Sequence, residues 1–206
     1  MRWMVVLLAA SSVSGCVQVR GSRLRADAPP GDVSRKSGLY VTPRDFEIGQ
    51  LSNVITCQSA SRPIASDAYS RSSDVVWSGG AKSARYAKSE LFGFRACDGT
   101  EVRFFKAANY RVIRAPPLYL YEHEHRESMG KSGSRLVLDH GFSTTAADSV
   151  RPLTLDALKR AYPTEHRFHD VLDLAFHNDE ELVRYDDFHH EYRVARLLRQ
   201  SREALP

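Results

Sequence analysis

The sequence predicts an α+β fold: an antiparallel β-meander of about six or seven strands, forming a small roll or partly open barrel, followed by a C-terminal segment of two to four short helices packed on it. Three observations point there. From residue 53 to about 125, short runs of β-branched and aromatic residues alternate with turn dipeptides. Within those runs apolar residues recur at every second position, as a strand with one buried face requires. From Leu153 onward the apolar spacing changes to three and four, the helical period.

The chain opens on Arg2, an apolar run over residues 3–10 and small residues leading to Val13-Ser14-Gly15-Cys16. The run is too short to cross a hydrocarbon layer of about 30 Å as a helix and has the layout of an export signal. Its end resembles the lipobox of bacterial lipoproteins, with Val13 where Leu is commonest. That resemblance implies cleavage before Cys16, a diacylglycerol on its sulfur and an acylated amino terminus; two or more chains hold a protein firmly to a bilayer. Removing residues 1–15 of the 206 leaves 191, enough for one medium domain.

Residues 16–37 form the lipidated cysteine and a flexible tether rich in Arg, Ser, Gly and Pro, broken at Pro29-Pro30-Gly31. Its basic residues Arg20, Arg23, Arg25, Arg35 and Lys36 suit a tether lying on anionic headgroups. The β-rich body spans 38–150. It begins at Thr42-Pro43, a hydroxyl cap followed by a first-turn proline, which predicts a turn or two of helix. Gly79-Gly80 and Asp98-Gly99 then mark tight hairpins. In the second, Phe92, Phe94 and Ala96 are expected on one face and Arg95 and Cys97 on the other. Further strands are expected at residues 110–114, 118–122 and 135–140, with Pro116-Pro117 between two of them.

The helical segment spans 151–206. Thr154 is placed to cap a helix carrying Leu155, Leu158 and Ala161 inward, ended by Pro163. A second helix carries the stripe Phe168, Val171, Leu172, Ala175 and Phe176. Asn178 with Glu181 has capping-box spacing, and Phe188, Tyr192, Ala195 and Leu198 suggest a last amphipathic face.

Hydrophobic residues make up 42% and charged residues 26% of the chain, the balance of a folded body. The net charge of +4 is small, and nucleic acid is not an expected partner of an exported protein. Setting Cys16 aside leaves Cys57 and Cys97, an even pair for which an oxidising compartment makes a disulfide the default.

The run from Glu90 through Phe105, Glu-Leu-Phe-Gly-Phe-Arg-Ala-Cys-Asp-Gly-Thr-Glu-Val-Arg-Phe-Phe, resembles exported and lipoprotein families of Bacteroidota to which no activity is attached. Residues 162–170 and 185–197 are similar to their C-terminal segment. The resemblance implies no ligand and no catalytic residue.

Five of the eight histidines lie in the helical segment. At 100° per residue His166, His169, Asp170, Asp173 and His177 share the polar face opposite Phe168, Leu172 and Phe176. Imidazole with carboxylate suits zinc or a similar ion, provided His189 or His190 approaches from the next element. A solvated helix face is the competing reading. His123 and His125 alternate with Glu122 and Glu124; two histidines two apart share a strand face and could chelate, but read first as a charge-dressed edge. Trp77, Tyr86, Tyr119 and Tyr121 could stack on sugars or fill the core. Gly130-Lys131-Ser132 ends like a phosphate loop, yet His125 occupies the earlier glycine position, and no Gly-x-Ser-x-Gly occurs. The expected function is a non-catalytic envelope lipoprotein, binding or supporting an envelope protein or glycan partner from the periplasmic face of the outer membrane. The alternatives are a metal-binding protein or metal-dependent enzyme built on the tail histidines, and a glycan-binding module.

Overall fold

The computed structural model describes residues 36–57, 64–65, 72–79 and 81–203; the expected signal, Cys16 and nearly all of the expected tether lie outside them. In chain order the elements are β1 (Lys36–Tyr40), α1 (Pro43–Glu47), β2 (Ser52–Thr56), β3 (Ile64–Ala65), β4 (Asp74–Gly79), β5 (Lys82–Ala87), β6 (Gly93–Arg95), β7 (Glu101–Phe105), β8 (Ala108–Ala115), β9 (Leu118–Ser128), β10 (Ser134–Ser143) and β11 (Arg151–Pro152). There follow α2 (Leu155–Ala161), α3 (His166–Ala175), β12 (Tyr185–Asp186), β13 (Glu191–Tyr192) and α4 (Arg193–Glu203).

The α+β class and the antiparallel meander are as expected. The strand count is higher, thirteen among the described residues, and the meander does not close. Eight strands form one open sheet in the order β11-β10-β9-β8-β7-β6-β1-β2, beside a three-stranded sheet β3-β4-β5 and a two-stranded β12-β13. Six or seven strands undercount because β1 carries no β-branched residue, and β3, β11, β12 and β13 are two residues each. Such strands owe their existence to the neighbours they pair with rather than to propensity.

Local signals explain the longer elements. Thr42 Oγ1 accepts from the Asp45 amide at 3.1 Å and Asp45 Oδ2 accepts from the Thr42 amide at 2.9 Å, a reciprocal cap that starts α1. Gly49 at φ 70° ends it. At Asp98-Gly99 the glycine takes φ 86° and the Thr100 amide donates to Asp98 Oδ1. The β7–β8 hairpin was not signalled by its turn residues: Lys106 and Ala107 adopt φ 50° and 63°, a conformation that costs an L residue about 1–2 kcal/mol. The buried Lys88 holds this turn, its Nζ donating to the Ala107 carbonyl at 3.2 Å.

Register assigns the faces. Val102 opposes Arg111, and Ile113 opposes Leu120, so Phe94, Val102, Phe104, Ile113 and Leu120 share one face of the main sheet. The helices cover one end of it, with Ile113, Leu118, Leu120 and Phe142 meeting Leu158, Phe168, Leu172, Phe176, Val194 and Leu198. The small sheet covers the other end, where Leu39, Phe94 and Phe104 meet Val75 and Leu91. On the opposite face Tyr40, Phe46, Phe92, Val112 and Tyr121 form a separate core beneath α1. Phe92 and Phe94 therefore do not share a face. Alternation breaks at Gly93, where a Cβ would sit 2.0 Å from the Val102 carbonyl oxygen.

The helical segment keeps its expected stripe, with Phe168, Leu172 and Phe176 buried. Thr154 caps α2 by accepting from the Ala157 amide. Asn178 accepts from the Glu181 amide, while Glu181 takes the His177 amide rather than that of Asn178, so the box is displaced by one residue. Phe188 is corrected: it sits in the β12–β13 turn, 87% exposed, because Tyr185 pairs with Tyr192 and interrupts the helical period. Arg151 and Pro152 pair with Phe142 and Gly141, so the segment begins as a strand of the main sheet.

Candidate functional site

The face opposite the helices carries a connected set of polar groups. Its centre is Glu101 on β7. Tyr40 donates its hydroxyl to Oε1 at 2.7 Å, Arg95 donates to the same oxygen at 3.0 Å, and Arg114 donates to Oε2 at 2.8 Å. Burial pushes the Glu101 carboxyl up, but the bonds from Arg114, Tyr40 and Arg95 outweigh it and hold the group below its ordinary value of 4.5. Burial together with the Glu101 charge drives the Tyr40 phenol well above the usual tyrosine range. Arg114 also donates to the Phe46 carbonyl at 2.7 Å and lies 4.1 Å over the Phe46 ring. One carboxylate thus ties β1, α1, β6, β7 and β8 together.

Two residues along β7, Arg103 is 4% exposed. Its guanidinium lies 5.0 Å from the centre of Phe92, 5.5 Å from Phe105 and 5.6 Å from Tyr121, a cation–π enclosure. It donates to the Tyr121 hydroxyl at 2.9 Å and to the Asp148 carbonyl at 2.6 Å. Ser143 donates to the Thr145 carbonyl at 2.6 Å, so Tyr121 donates to Ser143 across their 2.8 Å contact. The relay Arg103, Tyr121, Ser143 and Thr145 pins the loop after β10 onto the sheet.

Further along this face stands a column of planar side chains. Tyr110 on β8 lies 4.9 Å from His123 on β9, and His123 lies 5.2 Å from His125 with the two imidazoles within 10° of parallel. His123 Nδ1 is 3.0 Å from the Asn109 carbonyl; a carbonyl only accepts, so Nδ1 carries the proton. Asp139 pairs opposite His123 and places Oδ2 3.4 Å from His125 Nδ1. Burial, and then the Asp139 charge, raises the Tyr110 phenol. β9 lies between β8 and β10, but its pairing with β8 ends at Glu122 while that with β10 continues past His125, so the half-buried histidines stand just beyond the β8 ladder.

The tail residues are placed differently. His166, Asp170, Asp173 and His177 are exposed. Asp173 pairs with Lys159 Nζ at 2.6 Å, and the His166 and His169 rings meet edge to face at 5.9 Å. His169 turns its Nε2 to the Tyr162 carbonyl at 2.9 Å. His189 belongs to another group, with Nδ1 2.9 Å from Asp186 Oδ2 and in contact with Arg196. Among the described residues no three His, Cys, Asp or Glu side chains gather as a metal site, and His189 is not brought to His166, Asp170 and Asp173. Of the aromatic residues considered for sugars, Tyr121 is fully buried, and Trp77 is half-buried, its Nε1 donating to the Asn53 carbonyl at 2.8 Å.

Cys57, just after β2, and Cys97, just after β6, form a disulfide with Cα atoms 5.6 Å apart, stapling the edge strand to the sheet. Glu101 and Arg103 were not singled out from the sequence. The available signal was Glu101, Arg103 and Phe105 alternating with Val102 and Phe104, a strand with apolar residues on both faces and two charges among them. No family model, curated protein or solved structure matches the chain.

Proposed function

We propose that this chain is a non-catalytic envelope lipoprotein, anchored through Cys16 to the periplasmic face of the outer membrane, which binds or supports an envelope partner. The observation that carries the reading is the Cys57–Cys97 disulfide, with its Cα separation of 5.6 Å, because such a staple belongs to a chain that matures in an oxidising compartment. The lipobox pattern ending in Cys16 supports the anchor. The polar face supports a scaffolding role, since Glu101, Arg103 and Arg114 are engaged in holding strands and loops in place.

Mass spectrometry of the native protein tests the anchor. The expected result is an amino terminus at Cys16 carrying acyl chains, and release of a Cys16→Ala variant from the membrane fraction. A mature protein with an unmodified Cys16 would overturn it. Crosslinking in intact cells tests the partner: a discrete adduct is expected, retained in the His166→Ala, His177→Ala double variant.

A further inference from the structure

We propose that His123 and His125 on β9 form a two-imidazole site for a divalent transition-metal ion of the zinc, nickel or copper class. The inference does not rest on the membrane anchor. Residues two apart on a strand project from the same face, and here they do so from a stretch of β9 whose backbone is paired with β10 at Asp139 and Val137. The imidazoles are already side by side, centres 5.2 Å apart.

The surroundings select the coordinating atoms. His123 commits Nδ1 to the Asn109 carbonyl, and His125 turns Nδ1 toward the Asp139 carboxylate. For His123 that is the outer-shell arrangement that orients metal-binding histidines, one ring nitrogen bonded to a carbonyl and Nε2 left basic; for His125 the Asp139 carboxylate stands close by without a hydrogen bond. His125 Nδ1 is buried and makes no hydrogen bond at 3.4 Å; a small ring rotation that shortens this contact satisfies it. Neither Nε2 is among the buried unpartnered atoms, and both residues are half-buried. Zinc bonds of roughly 2.0–2.1 Å would require the two Nε2 atoms to draw together from rings whose centres stand 5.2 Å apart. Tyr110, packed on His123, walls one side, and water completes the coordination.

Titration of the purified full chain with zinc or nickel chloride, followed by calorimetry, tests the site. One ion per chain is expected. His123→Ala and His125→Ala should each weaken binding by more than about tenfold, and Asp139→Asn by about tenfold, the range seen when an outer-shell partner is lost. The His166→Ala, His177→Ala double variant should bind as the unaltered chain does. His123→Gln and His125→Gln, with unchanged thermal unfolding in metal-free buffer, separate loss of ligand from loss of fold. Absence of one-to-one binding, binding that survives in both β9 variants, or binding lost only with the tail variant would each overturn the proposal.

Discussion

The polar face of the sheet and the polar face of α3 carry similar residues and use them in opposite ways. Both present histidines and carboxylates at regular spacing. On the sheet, Glu101 is gripped by Tyr40, Arg95 and Arg114, and Arg103 is enclosed by three rings. On α3, Asp173 meets one lysine at a solvent-exposed position, and His166 and Asp170 point away from the core. The difference lies in what stands behind the residues. A strand inside a sheet has neighbours on both sides that supply carbonyls, carboxylates and rings, whereas the outer face of a helix offers only its own residues three and four positions away.

If this contrast is right, α3 contributes to stability through its buried stripe alone. Phe168→Ala should cost about 3–5 kcal/mol in chemical unfolding, the range for emptying a fully buried aromatic position. A loss below 1 kcal/mol would mean that the helix is not part of the core. Glu101→Ala should cost about 3 kcal/mol, because Arg95 and Arg114 would lose their shared carboxylate in a largely buried site.

The same carboxylate sets an acid limit. Its native pKa lies below the ordinary 4.5, so its contribution is complete above that value and is lost as pH falls through the depressed one. The urea midpoint should hold steady from neutral pH to about 4.5 and then decline, and Glu101→Gln should flatten that part of the decline. Tyr40 works in the opposite direction: its phenol is raised, so its contribution is complete below the ordinary 10.0 and is lost as pH rises above it. Ala107→Gly should raise stability by about 0.5–1 kcal/mol by relieving the positive φ of the β7–β8 turn. The smallest effect belongs to the exposed side of the comparison: Asp173→Asn should change stability by less than about 0.5 kcal/mol. A value near that of Glu101→Ala would erase the distinction between the two faces.

What the sequence revealed follows from the range of the forces involved. The α1 cap, the Asp98-Gly99 turn, the Thr154 cap and the stripe from Phe168 to Phe176 are local, and each was readable within a few residues. The sheet order was not. β1 finds its partners in β2 and β6, and Leu39 pairs with Phe94, a contact no local period encodes. Phe188 was misread because a two-residue strand restarts the phase of the helix that follows. The candidate site was readable in part. The His123 and His125 spacing was visible, but where β9 leaves β8 and which β10 residues face the two rings depended on register. The tail histidines are equally visible, since helical arithmetic places His166, His169 and His177 on one face, although nothing in that arithmetic brings in His189.

The sheet order also bears on how the molecule is built. Strands β6 to β11 follow one another around the sheet as they follow one another along the chain, so each can join its predecessor as soon as it emerges. The β1–β2 hairpin must instead wait for β6, dozens of residues later, before it has anything to join. During synthesis the β1–β2 end would be made first and docked late, and an incomplete chain would expose the β6 rim that β1 normally occupies. That rim is where a chaperone or a neighbouring copy would find an open place to pair.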